Sequence, residues 1–402
     1  MRVSVQAAER LALEGGKPVR ATLLPYGHHT VEESDIASVV ATLRSGWLTT
    51  GPTVEEFENA IAQSVGARHA VAFSSGTAAL HGAAFAADLK SGDEAITTPL
   101  TFCATANAVV YQGARPVFAD VSSDTLNLDP ETVGRHITPQ TKAILPVDFT
   151  GHPAALDEIL QLAGERITVI EDASHALGAT YRQRRVGGIS HMSVFSFHPV
   201  KHVACGEGGM VTTNSERFAR RLRQFRNHGI ESDPRRREAE GQWHYEMTAL
   251  GYNYRLSDIA CALGISQLGR LEANVARRRA IAERYGKVFV EIPAIEMPHV
   301  RPEVEPAWHL YCIRLRLEKL TADRAQIFRA LRAENIGVNV HYIPVHLHPY
   351  YRDRFGRRAG EFPVAEAAYQ RLLTLPMFPA MSDGDVDDVI LAVRKVIAAY
   401  SA

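Results

Sequence analysis

The amino-acid sequence predicts an α/β protein whose larger part is built on a mostly parallel seven-stranded sheet, followed by a smaller α+β part. Between residues 65 and 214, seven short β-rich runs alternate with helix-length segments, and several of these runs are apolar almost throughout. Strands buried on both faces have this composition, and their alternation with helices is typical of parallel sheets. After residue 214 helical patterns dominate, and from about residue 293 the chain reads as a smaller α+β unit.

The seven predicted strands are spaced so that most pairs leave room for a connecting helix. They are expected at residues 69–75, 94–99, 115–121, 142–149, 167–173, 193–197 and 209–214. The clearest helical segments between them cover residues 77–87, 104–112 and 153–163. Ligands of such sheets bind at the carboxyl ends of the strands, so the residues that follow the strands are the first candidates for a site.

The chain after residue 214 continues with helices. Ser215 and Ser257 are predicted N-caps of helices that reach about residues 228 and 271. A longer helical pattern then runs from residue 271 to about 290, and beyond it we expect strands at 309–317 and 336–342 with helices near 322–335, 364–373 and 383–399. We therefore expect a large domain over residues 1–270 and a small C-terminal domain over residues 271–402, which includes the connecting helix.

Composition and charge restrict the class of protein. The chain of 402 residues has 44 Lys and Arg against 45 Asp and Glu, and this balance argues against nucleic-acid binding. No apolar run approaches the ~20 residues of a membrane-spanning helix, and residues 1–20 lack the apolar core of a signal peptide. The four cysteines share no CxxC spacing, as expected for a cytoplasmic protein.

The first candidate site is a turn of small residues between a predicted strand and a predicted helix. Ser74-Ser75-Gly76-Thr77-Ala78 ends the strand and opens the helix. Small residues at a helix N-terminus let backbone N–H groups approach an anion such as a phosphate. An ordinary N-cap would have the same composition, so this turn alone indicates little.

A carboxylate and a lysine follow two later strands. Asp172 ends an apolar run, where a buried carboxylate needs a partner such as a protonated ring nitrogen, a structural arginine or a helix N-terminus. Lys201 lies between the strand at 193–197 and the Gly-rich turn 206–209, where desolvation would lower its pKa and make it a nucleophile toward aldehydes. A surface lysine is the ordinary alternative. The order of anion-binding turn, Asp172 and Lys201 supplies the parts that pyridoxal phosphate requires.

Two further clusters of polar residues have less specific patterns. His341, His346 and His348 suggest a metal site, but no carboxylate or cysteine is close in sequence and the intervening prolines favour an irregular loop, so we expect no metal. Residues 251–255, Gly-Tyr-Asn-Tyr-Arg, precede a capped helix and fit either a structural turn or an interface.

Eight phrases in this order resemble the sugar aminotransferases of the DegT/DnrJ/StrS type, over nearly the whole chain. They are LTTGP (48–52), SSGTAAL (74–80), TTPLTFCATANAV (97–109), EDASHALG (171–178), VFSFHPVK (194–201), GEGGMVTT (206–213), GYNYRLSDIACALG (251–264) and the VHYIPVH segment (340–346). The resemblance implies the aspartate aminotransferase fold (fold type I) and pyridoxal 5'-phosphate as the cofactor.

The resemblance also implies a role for each matching residue. Lys201 would bind the cofactor and move the proton, and Asp172 would hold the proton on the pyridine nitrogen. Phe102 would pack on the ring face, and His175 would bind the ring hydroxyl. The phosphate would be bound by Gly76, Thr77 and Ser196.

Further residues are implied in the substrate site and at a subunit interface. Asn253 would reach the phosphate or the substrate from a second subunit, which implies a homodimer with shared active sites. The residues that would line the sugar-nucleotide site are Tyr26, Trp47, Leu48, Thr49, Ser75, His341, Tyr342 and Ile343.

Within the family, the sequence looks most similar to the branch that acts in pseudaminic acid synthesis. That branch implies transfer of an amino group from L-glutamate to C4 of a UDP-linked 4-keto-6-deoxy-N-acetyl sugar. One departure is His202-Val203-Ala204-Cys205, where the branch more often has Pro-Ile-Thr-Thr. Other keto sugars, of the perosamine, bacillosamine or aminoarabinose type, remain alternatives. A sugar dehydratase, which has histidine in place of the lysine, and a non-catalytic relative are disfavoured by the presence of Lys201 and Asp172.

Overall fold

The computed structural model describes residues 10–231, 237 and 239–402, and all seven predicted strands occur in it. Six are shorter than predicted, and the strand predicted at 193–197 is shifted by one residue. The strands are β1 (His69–Phe73), β2 (Glu94–Thr97), β3 (Arg115–Phe118), β4 (Thr141–Leu145), β5 (Thr168–Asp172), β6 (Thr180–Tyr181), β7 (Arg184–Arg185), β8 (Met192–Ser196), β9 (Gly209–Thr213), β10 (Ile295–Glu296), β11 (Val304–Glu305), β12 (Tyr311–Leu315) and β13 (Leu372–Leu375).

The central sheet has the order β1-β9-β8-β5-β4-β2-β3, which confirms the prediction of a mostly parallel seven-stranded sheet. Strands β8, β5, β4, β2 and β3 run parallel, and β9 runs antiparallel to both of its neighbours. Since β1 and β8 are both antiparallel to β9, they point the same way. The carboxyl ends of β1, β5 and β8 therefore lie along one edge of the sheet.

The helices cover the sheet and build the second unit. They are α1 (Glu33–Arg44), α2 (Pro52–Val65), α3 (Gly76–Ala86), α4 (Ala104–Tyr111), α5 (Pro130–His136), α6 (Leu156–Ala163), α7 (Glu216–Arg226), α8 (Asp258–Leu268), α9 (Leu271–Phe289), α10 (Arg324–Ala333), α11 (Pro349–Phe355), α12 (Pro363–Arg371) and α13 (Asp383–Ala399). Short 3-10 helices lie at Ala12–Glu14, Phe149–Gly151, Leu317–Lys319 and Val345–Leu347.

The predicted N-caps of α7 and α8 are both present. The side chain of Ser215 accepts a hydrogen bond from the backbone N–H of Phe218, and Ser257 accepts one from Ala260. Each bond satisfies a backbone donor that the first turn of a helix leaves unpaired. Both helices end a few residues earlier than the sequence pattern suggested.

The C-terminal unit has its own antiparallel sheet, β10-β12-β13, packed against α9, α10 and α13. Its core includes Tyr285 from α9, Ile327 from α10 and Val389 from α13. The first turns of α9 instead pack into the core beneath the central sheet, through Leu271 and Val275. This helix thus contributes to both cores, and the domain boundary at residue 271 stays a prediction.

The prediction of a strand at residues 336–342 is wrong. The place beside β12 is taken by β13, which the sequence pattern had assigned partly to a helix. Residues 336–342 form isolated bridges only, between Ile336 and Leu24 and between Asn339 and Thr374. A Cβ on Gly337 would lie 2.5 Å from the carbonyl oxygen of Leu24, so the segment packs on the N-terminal chain rather than in a ladder.

In the described part of the chain, no helix has the length and apolar character needed to cross a bilayer.

Candidate active site

The site forms where the turn after β1 meets the end of β8. Ser75 is the N-cap of α3, and its hydroxyl accepts a hydrogen bond of 3.1 Å from the N–H of Ala78. Gly76, the first residue of the helix, packs so tightly on β8 that a Cβ there would lie 2.9 Å from the Cβ of Ser196. Thr77 is the next residue and is partly buried. The predicted anion-binding turn and Ser196 are therefore in contact, beside the amino terminus of a helix.

Asp172, the last residue of β5, is held by two hydroxyl groups. Thr105 donates a hydrogen bond of 2.7 Å to Oδ2, and Ser174 donates one of 2.6 Å to Oδ1. Thr105 belongs to the first turn of α4, whose N-terminal loop carries Phe102. The carboxyl group of Asp172 is thereby fixed in orientation at the edge of the sheet.

Two further carboxyl groups lie close to Asp172 in the core. Glu171 is fully buried and accepts a short hydrogen bond from the hydroxyl of Ser193. Asp148 is also fully buried and accepts a hydrogen bond of 2.9 Å from the N–H of Ala154. Burial raises the pKa of both carboxyl groups, and the proximity of Glu171 raises that of Asp148 further. Both pKa shifts act in the direction that favours protonation.

Lys201 lies in the loop after β8, and its amine is close to Asp172 and to a cluster of buried histidines. Burial lowers the pKa of Lys201 to about 8, although the charge of Asp172 opposes the shift and that of Arg278 adds to it. Nζ lies 3.4 Å from Nε2 of His309. The amine is therefore easier to deprotonate than an ordinary lysine, as the sequence context predicted.

His175 adjoins this cluster. Its Nε2 lies 3.2 Å from the hydroxyl of Tyr342, and its ring centroid lies 4.3 Å from that of His309. Burial, together with the charge of Lys201, lowers the pKa of His175 well below its usual range, so the ring is neutral. Its Nδ1 is buried and has no hydrogen-bond partner among the described residues. This nitrogen is free to bind a polar group of a ligand.

The predicted residues 341–343, Tyr26 and Phe102 surround the same space. The ring of Tyr26 lies 5.4 Å from that of His341, whose Nδ1 is 2.8 Å from the hydroxyl of Thr374. The ring of Phe102 lies 6.1 Å from that of Tyr342 and is 57% exposed. Ile343 is also exposed. These side chains form a partly apolar rim.

The structure does not bring every predicted residue to Lys201 within one chain. Trp47, Leu48 and Thr49 are exposed and lie against the start of α8, where Thr49 bridges Ser257. Asn253 is exposed and pairs with Asn227. No hydrogen bond or ring contact joins any of these four to the group around Lys201 in the described parts of the chain.

Two of the histidines considered as metal ligands, His341 and His346, bind different side chains. Nε2 of His346 lies 3.0 Å from Oε1 of Glu366, while His341 is bound to Thr374. Glu366, which is 20 residues from His346 in sequence, reaches it from α12. Within the described residues, no group of three or more histidine, cysteine or acidic side chains is arranged to hold a metal ion.

Four residues of the site were missed by sequence reasoning: Thr105, Ser174, His202 and His309. Ser174 and Thr105 lie within phrases already singled out, two residues after Asp172 and three after Phe102. His309 carries no local signal, because it is 108 residues from Lys201 in sequence.

Comparison with known proteins connects this geometry to one family. The profile of the DegT/DnrJ/EryC1/StrS aminotransferase family matches residues 29–394. The spore coat polysaccharide biosynthesis protein SpsC of Bacillus subtilis is 45% identical over 381 residues, which cover 94% of this chain and 98% of that protein.

Two solved structures share the fold over 94% of this chain, each with 30% sequence identity and a TM-score of 0.87. One is the putative sugar aminotransferase Spr1654 of Streptococcus pneumoniae in its PLP form, of which 99% is covered. The other is PseC of Helicobacter pylori, described as an aminotransferase involved in the biosynthesis of pseudoaminic acid, of which 100% is covered.

The site has the features that pyridoxal phosphate requires. α3 begins at Gly76, in contact with Ser196, and the N-terminus of a helix favours an anion. Asp172 offers a fixed carboxylate, Lys201 an amine of lowered pKa, and His175 an unpartnered nitrogen. Pyridoxal phosphate has a phosphate, a protonated ring nitrogen, an aldehyde and a ring hydroxyl. The helix N-terminus, Asp172, Lys201 and His175 can bind these groups in that order, so the residues fit the cofactor.

Proposed function

Because the chain belongs to the DegT/DnrJ/EryC1/StrS aminotransferase family and is a pyridoxal phosphate-dependent sugar aminotransferase, we propose that it transfers an amino group from L-glutamate to C4 of a UDP-linked 4-keto-6-deoxy-N-acetyl sugar. The product would be UDP-4-amino-4,6-dideoxy-N-acetyl-β-L-altrosamine, for pseudaminic acid biosynthesis. The observation that carries the proposal is the position of the Lys201 amine, close to Asp172 at the edge that also bears the Gly76–Ser196 contact.

Each residue at this edge has a proposed task. Lys201 would hold the cofactor through its amine and, when released, would carry the proton between the substrate carbon and the cofactor carbon. Asp172 keeps the ring nitrogen protonated, and His175 Nδ1 binds the ring hydroxyl. When bound, pyridoxal phosphate supplies an electron sink for the carbon that loses or gains the proton. Gly76, Thr77 and Ser196 bind its phosphate.

The proposed substrate is a sugar nucleotide held at the rim. Tyr26, His341, Tyr342 and Ile343 offer aromatic and apolar surface beside Lys201, together with the Ser75 backbone. PseC, at 30% identity, supports the pseudaminic acid branch. SpsC, at 45% identity, favours a second candidate, which is an amino sugar of a surface polysaccharide.

A homodimer would complete this site. Residues near Asn253 expose large apolar side chains, which marks this surface for contact with protein. These side chains are Trp243, Tyr245, Met247, Leu250 and Tyr252. We place Asn253 and the segment Trp47–Thr49 against the site of a second copy.

The four free cysteines are consistent with a cytoplasmic enzyme.

The proposed dimer predicts complementation between inactive subunits. Each homodimer of Lys201→Ala or of Asn253→Ala should be inactive or weak. In a 1:1 mixture, about half of the dimers combine the two variants, and one of the two sites in each such dimer has both residues. The mixture should therefore regain up to about a quarter of the wild-type activity. Failure of mixing to restore any activity, with subunit exchange verified by mass, would contradict the shared site.

The cofactor and the donor are tested together by an absorption spectrum. We expect the purified protein to show a visible band of bound pyridoxal phosphate, which bleaches when L-glutamate is added. The Lys201→Ala variant should fold as the wild type does, judged by circular dichroism, yet give no turnover. A band that stays unchanged with glutamate would contradict glutamate as the donor.

The sugar is tested by turnover with a panel of keto sugar nucleotides. The UDP-linked 4-keto-6-deoxy-N-acetyl sugar of L-arabino configuration should have the highest kcat/KM among them. Precursors of perosamine, bacillosamine and aminoarabinose serve as competitors. A preference for any of these, or indifference to the L-arabino sugar, would replace the proposed substrate while leaving the reaction type intact.

A further inference from the structure

His309 lies within hydrogen-bond distance of the amine of Lys201. Its Nε2 is 3.4 Å from Nζ, and its ring is buried. His309 belongs to the segment before β12, in the C-terminal unit, whereas Lys201 follows β8 of the central sheet. The two residues are thus brought together only by the packing of these two parts of the chain.

The position of His309 is fixed by its backbone. Arg278 donates to the carbonyl oxygens of Trp308 and His309, at 3.2 and 3.1 Å. On the other side, the N–H of Ala307 donates to the carbonyl oxygen of Gly151 at 2.9 Å. A Cβ on Gly151 would lie 2.9 Å from the backbone nitrogen of His309, so only glycine allows this approach. The segment is therefore clamped beside Lys201.

Among the groups that face Lys201, His309 is the histidine whose ring nitrogen is within reach of the amine. His175 Nε2 is engaged with Tyr342, and His341 Nδ1 with Thr374. His202 Nε2 donates to the carbonyl oxygen of Ala307. The titratable and charged groups around the amine are Asp172, His175, His202, Arg278, His309 and His341.

The imidazole of His309 is suited to accept a hydrogen bond from an ammonium group. Burial lowers its pKa well below the usual range, and the charge of Lys201 lowers it further. A neutral ring accepts at one nitrogen and donates at the other. With the proton on Nδ1, Nε2 accepts from Nζ of Lys201.

We propose that His309 is a positioning residue for Lys201. Nε2 of His309 holds the amine whenever Lys201 is not bound to the cofactor, and it directs Nζ toward the carbon atoms between which the proton moves. The proton travels on Nζ, and His309 stays neutral throughout. The proposal rests on the proposed role of Lys201, but its test needs neither cofactor nor sugar.

The test is the pKa of Lys201 in the full-length protein from which the cofactor has been removed. The protein is treated with acetic anhydride between about pH 6 and pH 10, and mass spectrometry follows acetylation of the peptide that contains Lys201. In His309→Phe the ring remains but the acceptor is lost, so the ammonium form loses a stabilising bond. We expect the pKa of Lys201 to fall by about one pH unit.

Two variants separate acceptance of the hydrogen bond from packing. His309→Gln keeps an acceptor and should leave the pKa of Lys201 close to that of the wild type. His346→Gln is the matched control, because His346 is also buried, its Nδ1 has no hydrogen-bond partner among the described residues, and its Nε2 is bound to Glu366 and not to Lys201. It should leave that pKa unchanged. His309→Leu, which is smaller than the phenylalanine variant, makes the same test if that variant fails to fold.

The outcomes decide between positioning and packing alone. A lowered pKa in His309→Phe or His309→Leu, with a wild-type value in His309→Gln, supports the proposal. An unchanged pKa in every variant, or an equal shift in all His309 variants, overturns it. In the loaded enzyme, His309→Phe should displace the pH profile of kcat in the same direction, with little change in the KM for the sugar.

Discussion

The hydroxyl of Thr105 donates a hydrogen bond of 2.7 Å to Oδ2 of Asp172, which joins the first turn of α4 to the end of β5. Oδ1 of the same carboxyl group accepts from Ser174. Phe102 is linked to this pair, since its carbonyl oxygen lies 3.2 Å from Oγ1 of Thr105. The ring expected to pack on the cofactor and the carboxylate expected to bind its nitrogen are thus positioned by one threonine.

We predict that Thr105→Val weakens cofactor binding. The substitution keeps the shape of the side chain but removes the donor to Asp172, and a hydrogen bond to a charged group contributes about 1.5–3 kcal/mol. The dissociation constant of pyridoxal phosphate should therefore increase about 10- to 100-fold. Titration of the cofactor-free protein with pyridoxal phosphate measures this constant. Thr105→Ser retains the hydroxyl and serves as the control. Equal affinities in the valine and serine variants would contradict the role of the hydroxyl.

Gly76→Ala should close the anion-binding turn. The new Cβ would meet the Cβ of Ser196 at 2.9 Å, so either α3 or β8 must move. We expect at least about a tenfold loss of affinity for pyridoxal phosphate, because a displaced helix N-terminus no longer aims its N–H groups at the phosphate. Gly134→Ala in α5 is the control, since its Cβ would meet only Leu162 at 3.6 Å. If the two variants bound the cofactor equally well, the tight contact would have no functional role.

Glu334 ties the N-terminal segment to the C-terminal unit, and its loss should destabilise the protein. Its side chain is fully buried, pairs with Lys395 at 2.9 Å and accepts hydrogen bonds from the N–H groups of Ala12 and Val19. Glu334→Ala leaves a buried ammonium group without its partner, which typically costs about 3–5 kcal/mol. Urea unfolding followed by tryptophan fluorescence measures the loss of stability.

An exposed ion pair provides the comparison for Glu334. Glu291 and Arg394 are 3.4 Å apart, with side chains 72% and 35% exposed. Glu291→Ala should change the free energy of unfolding by less than about 0.5 kcal/mol, since water already solvates both charges. Similar losses in the two variants would show that burial of the Glu334 pair does not determine its contribution.

Asp35 should make stability depend on pH in the acid range. Burial on its own raises the pKa of Asp35, but hydrogen bonds from Arg270 and Ser266 outweigh this effect and hold the pKa below its usual value. In the unfolded chain the group titrates near pH 4. The unfolded state therefore binds more protons below this pH, so the contribution is complete above about pH 5 and is lost as the pH falls through the lower folded-state pKa.

Asp35→Asn is predicted to flatten this dependence. Denaturation curves between about pH 5 and pH 2 should show a smaller loss of stability with acid than in the wild type. At pH 7 the variant should be less stable, because Arg270 loses its buried charged partner and keeps only Glu32, at 3.3 Å. Asp353 is exposed, and Asp353→Asn is the control that should follow the wild-type curve. A wild-type slope in Asp35→Asn would assign the acid sensitivity to other carboxyl groups.

The elements of the central sheet could be predicted because their signals are local. The run that forms β1 is apolar from Ala70 to Phe73, and a strand buried on both faces has this composition. Ser215 and Ser257 marked helix starts through the preference of a serine hydroxyl for unpaired N–H groups. The order of Gly76, Asp172 and Lys201 along the chain likewise indicated the chemistry of the site, since each follows a strand.

The segment at residues 336–342 was not predictable from its composition. A β-rich run needs a free neighbour to become a strand, and the place beside β12 is taken by β13. Glu366 shows the same limit for side chains, because its distance of 20 residues from His346 in sequence hid their contact.

The sequence by itself determined the strands of the central sheet, the caps of two helices and the residues that match the family, because each depends on neighbours within a few positions. Only the tertiary structure decided what surrounds them. Packing of the C-terminal unit placed His309 against Lys201, and packing of α4 placed Thr105 against Asp172. The lowered pKa of Lys201 has the same origin, since burial is a property of the folded molecule and not of any local pattern.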